Sequence, residues 1–246
     1  KVDFSSVRYL LYGAAPMSVE KLKKAIALWG PVLSESYGQS EAMGSIATLR
    51  ADEHMVGDGL ASDERLGSVG RPNPLVRVEI MDEQNRILPR GETGEICVRG
   101  PNVAPLYWPD VDAVDSEGFF HSGDLARQEP DGQYVVVGRS KDMIISGGEN
   151  IYPAEVEQLL NEHPWVAECA VVGRPDERWG EVCVAVVVLR DSAPADDWAS
   201  GVEASLHGRL ARYKWPRVWH RVDALPRTAL GKVVKPAIRA WLVSQR

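Results

Sequence analysis

The sequence predicts a protein of mixed α/β and α+β character, and three observations predict it. Between Val7 and Ser36 an apolar run, a helical pattern and a second apolar run follow one another, the order of a parallel α/β layer. From Gly67 to Val137 apolar and polar residues alternate in period two with no long helical pattern between them, which predicts a small antiparallel sheet or β-barrel. Beyond the stretch Gly138–Pro153 helical and strand patterns mix again, as in a compact α+β domain able to fold alone. The expected organisation is residues 1–139, with 1–66 as the α/β layer and 67–137 as the β part, followed by a mobile domain over 140–246.

Each element has its own signal. Val7–Tyr12 reads as a buried strand entering the turn Gly13–Pro16. Ser18 caps the next helix, Glu20 suits its positive end, Val19, Leu22, Ile26 and Trp29 recur at helical spacing, and Gly30 stops it. Val32–Ser36 is the second strand, and ligands of such a layer sit beyond the strand carboxyl ends. Val76, Val78 and Ile80, then Ile96 and Val98, mark two strands about the turn Pro89–Gly94, and Gln133–Val137 a third after an Asp-Gly turn. Pro153 opens a helix with Val156, Leu159 and Leu160 inward. Val166–Val172 and Val182–Leu189 are strands, and Trp198–Leu210 is a helix weakened by Gly201 and Gly208. Val218–Val222 is a strand and Pro236–Val243 a closing helix.

Composition narrows the function. A net charge of −7 argues against a broad nucleic-acid surface, so an anionic ligand has to be met by a few placed cations. The longest apolar run, Val182–Leu189, is far short of the ~20 residues of a membrane span. The opening KVDFSSVRYL has no signal-peptide core, and a cytoplasmic location is expected. The 3 cysteines form no CxxC pair and the 5 histidines no metal-ligand spacing, so Cys97, Cys169 and Cys183 are expected to be buried thiols. Val7–Leu11 reads as a strand with no earlier element to pair with, which suggests part of a longer protein.

The chemistry-bearing residues lie in short stretches in a fixed order: GAAP (Gly13, Ala14, Ala15, Pro16), ESYGQSEAMG (Glu35–Gly44), FFHSGDL (Phe119–Leu125), GRSKDMIISGGENIYP (Gly138–Pro153) and LPRTALGKVVK (Leu225–Lys235). Together they resemble the motifs of the adenylate-forming superfamily of acyl-CoA synthetases, luciferases and peptide-synthetase adenylation domains. The resemblance runs from Tyr12 to Lys235. It implies that ATP and a carboxylic acid give an acyl-adenylate and pyrophosphate, after which a thiol, usually coenzyme A, displaces AMP. The expected fold is then the end of a large AMP-binding domain, with a small β-barrel, followed by a mobile C-terminal α+β domain.

The resemblance also implies roles. The GAAP turn contacts adenine, its glycine letting the backbone approach a flat base. Tyr37 stacks on the adenine, with Glu35 and Ser36 near its edge, and Gly38, Gln39 and Ser40 complete the nucleotide stretch, Ser40 standing where threonine is commoner. Glu41 holds Mg²⁺, a hard cation that prefers oxygen ligands. Asp124 receives the ribose hydroxyls and Arg139 is its partner on ribose or phosphate. Lys141 is the hinge, and Ser146, Gly147, Gly148 and Glu149 line the path of coenzyme A, the glycines leaving room for a narrow arm. Lys232 reaches the α-phosphate and the acyl carboxylate, where a placed ammonium stabilises developing charge. Ser36, Gly38, Met43 and Gly44 are the candidates for the acyl pocket.

One family element has no counterpart here. The glycine-rich phosphate loop would lie before Lys1, so the chain is expected to carry half an active site and to turn over poorly alone. The expected partners are a fatty or aryl carboxylic acid, ATP and coenzyme A, and an oligomer is compatible with the sequence. The other readings are an adenylation domain that loads a carrier protein and a non-catalytic nucleotide-binding remnant.

Overall fold

The computed structural model describes residues 2–229 and 231–244. Leu230, inside the lysine-bearing stretch, lies outside the described residues. The chain divides into two compact units, residues 1–137 and 138–246.

The first unit begins with β1 (Leu10–Gly13), α1 (Val19–Trp29), β2 (Leu33–Tyr37), β3 (Ala47–Leu49), β4 (Met55–Val56), β5 (Gly59–Leu60), α2 (Asp63–Leu66) and β6 (Arg71–Pro72). The Ser18 side chain accepts the Lys21 N–H, and Gly30 ends α1 at φ 83°. Val19, Leu22 and Ile26 of α1 pack on Leu33 and Leu66, each burial contributing roughly 1.5–3 kcal/mol. The sheet order is β1-β2-β3-β6. Only β1 and β2 run parallel, in the register Leu10↔Leu33 to Gly13↔Ser36, while β3 is antiparallel to β2 and β6 to β3. The layer is therefore mixed rather than parallel throughout. The connection after Tyr37 is too short for a crossover helix, so the chain can only return antiparallel.

Then come β7 (Arg77–Met81), β8 (Thr93–Arg99), β9 (Leu106–Tyr107), β10 (Val111–Asp112), β11 (Phe120–Gln128) and β12 (Tyr134–Arg139), which leads out of the unit. The sheet β12-β11-β8-β7 is open, which corrects the expectation of a barrel. Four strands of this length give too little curvature for the outer two to meet. Val78, Ile80, Ile96, Val98, Phe120 and Tyr134 form its buried face, packed with Ala42, Ile46 and Ala47. β11 bulges between His121 and Leu125.

The second unit holds β13 (Ile144–Ser146), β14 (Glu149–Ile151), α3 (Pro153–Glu162), β15 (Val166–Asp176), β16 (Gly180–Leu189), α4 (Trp198–Ala204), β17 (Val218–Arg221) and α5 (Lys235–Ser244). Its sheet is β14-β13-β16-β15, with β17 parallel to β16. Val171, Cys183, Ala185 and Val187 face Val156, Leu160 and Val202, while Val172, Val182, Val184 and Val186 face Ile238 and Leu242. Both faces of β15 and β16 are thus covered, which is why these strands read as apolar runs. All three cysteines are buried thiols, as expected.

The predicted helix Trp198–Leu210 ends at Ala204. Gly208 lies at φ 71°, which breaks it, while Leu206 and Leu210 continue the buried spacing through turns. Gly201 has a packing reason: a Cβ there would come within 2.3 Å of the Trp165 ring. Among the described residues, no helix is long and apolar enough to cross a membrane.

Candidate active site

In the first unit the candidate residues gather where β1 and β2 end and where β11 bulges. Gly13 lies at φ 152°, and a Cβ there would stand 2.2 Å from the Ser36 carbonyl oxygen. Its glycine is required by the close pairing of β1 with β2, a nearer cause than the approach of a flat base. Gly38 has a similar reason, since a Cβ would meet the Gly44 carbonyl oxygen at 2.1 Å. Gly38 and Gly44 thus close the loop that carries Gln39, Ser40, Glu41 and Met43, and the Met43 side chain stands at its tip, 72% exposed.

Tyr37 and Asp124, distant in sequence, meet directly. The Tyr37 hydroxyl donates to Asp124 Oδ2 at 2.8 Å, and Gln39 Nε2 donates to the same oxygen at 2.8 Å and to the Ser122 carbonyl at 3.0 Å. Asp124 is 6% exposed, and its own N–H donates to Ser122 Oγ at 3.1 Å. A buried carboxylate with several donors is a fixed acceptor, the type of group that vicinal hydroxyls need. Glu41, in a short turn over Ser40–Ala42, accepts from the Tyr107 hydroxyl at 3.2 Å. Among the described residues Tyr107 is its one side-chain donor, and a half-exposed carboxylate so placed keeps oxygen lone pairs that fit a hard cation such as Mg²⁺.

Glu35 has different company. It pairs with Tyr12 across β1 and β2, and burial raises its carboxyl to about 7, opposed by a hydrogen bond with Tyr12. Burial, followed by the Glu35 charge, pushes the Tyr12 hydroxyl far up. His54 Nδ1 lies 2.9 Å from the Arg50 carbonyl, which can only accept, so that nitrogen carries the hydrogen, and Nε2 lies 2.9 Å from the Tyr12 hydroxyl oxygen. Burial keeps this imidazole below its ordinary value.

The second unit carries the other candidates. Arg139 ends β12, and Lys141 is exposed in a single turn over Ser140–Asp142, whose Asp142 pairs with Arg239 of α5 at 2.8 Å. Ser146 is buried in β13. Gly147 (φ 61°) and Gly148 (φ 85°) make the turn into β14, where Glu149 is exposed. They are not equivalent. A Cβ on Gly147 would stand 2.8 Å from the Trp179 ring, whereas one on Gly148 would meet nothing within 4 Å. The missing Cβ at Gly147 thus makes way for the Trp179 ring, while Gly148 borders open space. The Arg178 and Arg217 guanidiniums lie 4.9 and 4.4 Å from the Trp179 ring centre.

Lys232 stands in a tight exposed turn. Its N–H donates to Thr228 Oγ1 at 3.1 Å, and the Thr228 N–H donates to its carbonyl at 2.8 Å. Arg227 donates to the Gly231 carbonyl at 2.5 Å and pairs with Glu168 of β15, which ties the turn to the sheet. Lys235, three residues on, is paired with Glu157 at 2.8 Å.

The profile of the AMP-binding enzyme family matches residues 1–108, and that of the AMP-binding enzyme C-terminal domain matches residues 155–232. The chain belongs to the adenylate-forming, AMP-binding enzymes. Among AMP-binding relatives, the medium/long-chain-fatty-acid–CoA ligase FadD8 of Mycobacterium tuberculosis is 43% identical over 246 residues, covering 97% of this chain and 42% of the relative. The amide bond synthetase McbA of Marinactinospora thermotolerans superposes with a TM-score of 0.88 at 38% identity, over 97% of this chain and 48% of that one. The o-succinylbenzoate CoA synthetase of Bacillus subtilis, solved with an acyl-adenylate intermediate, gives 0.82 at 35% identity, over 97% and 46%. The chain spans about half the length of the AMP-binding proteins it matches.

Several residues in contact with the candidates escaped the sequence reading. Tyr107 and Ser122 flank the nucleotide stretches, Trp179 covers Gly147, and Arg227 with Glu168 holds the lysine turn. Ser122 and Arg227 had a signal, their places inside the FFHSGDL and lysine stretches. The others are brought in by strand pairing and turns that no local pattern encodes.

Proposed function

We propose that this chain is part of an ATP-dependent acid–thiol ligase that makes an acyl-adenylate from a fatty or aryl carboxylic acid and passes the acyl group to coenzyme A, in the cytoplasm. The observation that carries the reading is the meeting of Tyr37, Gln39 and Asp124 on one buried carboxylate oxygen. Tyr37 offers its ring to the adenine while its hydroxyl stays on Asp124, and Asp124 accepts from the ribose hydroxyls. Ser36 and Ser40 supply hydroxyls to the nucleotide, and Arg139 supplies a directional cation to ribose or phosphate. Glu41 holds the Mg²⁺, which when bound neutralises phosphate charge. Lys232, at the tip of its turn, stabilises charge where carboxylate and α-phosphate meet. Lys141, in a single exposed turn, is the pivot for a swing of the second unit, and the Gly148 side of the Ser146–Glu149 loop admits the thiol arm. Ser36, Gly38, Met43 and Gly44 border the acyl group.

A second reading keeps the adenylate and changes the acceptor to a carrier protein or another nucleophile. It is favoured by the likeness to McbA, an amide bond synthetase. The experiment is pyrophosphate release from a panel of fatty and aryl acids, with and without coenzyme A, on the longest gene product that contains this chain. Release with thioester formed only when coenzyme A is present supports the ligase. Adenylate without any thioester selects the second reading, and no pyrophosphate from any acid removes both.

A further inference from the structure

His121 of β11 has a carboxylate at each ring nitrogen. Glu95 Oε2 is 3.0 Å from Nδ1 and Asp115 Oδ2 is 3.3 Å from Nε2. Ionised carboxylates only accept, so both contacts are hydrogen bonds only if both nitrogens carry hydrogen, which is the imidazolium. A neutral ring would set a bare lone pair against one of the acids. Burial opposes the charged ring, but the hydrogen bonds and charges of Glu95 and Asp115 outweigh it and hold its pKa above 6.5. Cys97, buried 3.4 Å from Nδ1, stays a neutral thiol, pushed up to about 12 by burial and then by the same two acids.

Glu95 has a second task. Its Oε1 accepts the Gly123 N–H at 2.7 Å. Gly123, at φ 71°, sits in the bulge between His121 and Leu125, and the next residue is Asp124. One carboxylate thus ties the imidazolium ring to the backbone turn that aims Asp124 at Tyr37 and Gln39.

We propose that His121 is a positioning residue: an imidazolium that clamps Glu95 and Asp115 and so holds the β11 bulge in the shape that presents Asp124 to the ribose of a bound nucleotide. The clamp stands on the hydrogen bonds alone, while its use rests on the ribose role proposed above for Asp124. The groups that face the ring are Glu95 and Cys97 from β8 and Asp115 from the turn before β11. Arg77 and Arg99, from β7 and β8, stack on the Phe119 ring instead. Because folding raises the His121 pKa, the clamp is complete below 6.5 and is lost as pH climbs through the raised value.

The test is nuclear magnetic resonance on the labelled chain between about pH 6 and 9, where a histidine titrates. It reads the His121 ring nitrogens and the exchange rate of the Gly123 amide, alongside AMP titration. The expected result is a doubly protonated ring at neutral pH, with Gly123 exchange accelerating as the ring loses its proton. His121→Leu should speed Gly123 exchange and weaken AMP binding by about tenfold, the size of one charge-assisted hydrogen bond, and His121→Lys should recover most of both. Glu95→Gln, which keeps the shape of the side chain, should give a similar loss.

A neutral ring at neutral pH, unchanged Gly123 exchange in both His121→Leu and Glu95→Gln, or a stoichiometric metal ion on Glu95, Cys97 and His121 would each overturn the clamp. Faster Gly123 exchange with unchanged AMP affinity would overturn the positioning role. Should wild-type chain with an intact clamp show no AMP-dependent shift at Asp124 at any concentration, the ribose role of Asp124 falls while the clamp stands.

Discussion

The Tyr37 hydroxyl donates to the Asp124 carboxylate at 2.8 Å, joining the end of β2 to the bulge of β11. Two motifs that are distant in the chain are thereby one acceptor site. Tyr37→Phe keeps the ring and removes the donor. Hydrogen bonds to charged groups are worth roughly 1.5–3 kcal/mol, so urea unfolding should show a loss near the lower figure, with Gln39 still in place. A Phe variant as stable as wild type would show that this contact contributes nothing.

Glu35 makes stability depend on pH in an unusual direction. Burial raises its carboxyl from 4.5 to about 7, so the fold favours the protonated form. The stability this lends is whole below 4.5 and is lost as pH rises through about 7. Urea midpoints across that window should fall with pH, and Glu35→Gln, neutral throughout, should flatten the slope. An equal slope in the variant would assign the dependence to other groups.

The two glycines of the Ser146–Glu149 loop should respond differently. Gly147→Ala drives a methyl into the Trp179 ring and should cost about 1–3 kcal/mol beyond its backbone strain, with a shift in tryptophan emission. Gly148→Ala meets nothing and should cost only the left-handed penalty, about 1–2 kcal/mol, with no emission change. Equal costs would mean that Trp179 does not pack as described.

Arg227 is expected to hold the lysine turn through the Gly231 carbonyl and Glu168. Arg227→Ala should speed tryptic cleavage after Lys232 several-fold with little change in global unfolding, since a half-exposed pair is worth roughly 0–1 kcal/mol. Unchanged cleavage would show that the turn holds without it.

Much of this was legible in the sequence, for identifiable reasons. Tyr37, Asp124 and Lys232 sit in short stretches whose order alone points to the family, and α1 announced itself by Ser18, its apolar spacing and Gly30. The partnership of Glu95 with His121 did not, because it depends on the β8–β11 register on either side of the bulge, where His121 pairs Cys97 and Leu125 pairs Glu95. Period-two patterning correctly marked the buried face of Val78, Ile80, Ile96 and Val98, but it carries no information on whether sheet edges meet, so the openness of the sheet was not legible. Gly201 and Gly147 looked like weak points or open space. Each is in fact the floor under a tryptophan, a contact made by residues remote in sequence.

The most direct measurement is to separate the two half-reactions in the complete protein carrying Lys232→Ala. With Lys232 acting on the α-phosphate, acid-dependent ATP–pyrophosphate exchange should fall by about 10²–10³, the cost of one transition-state contact, while thioester formation from supplied acyl-adenylate and coenzyme A stays near wild type. Exchange at the wild-type rate, or an equal loss in both halves, would contradict that role.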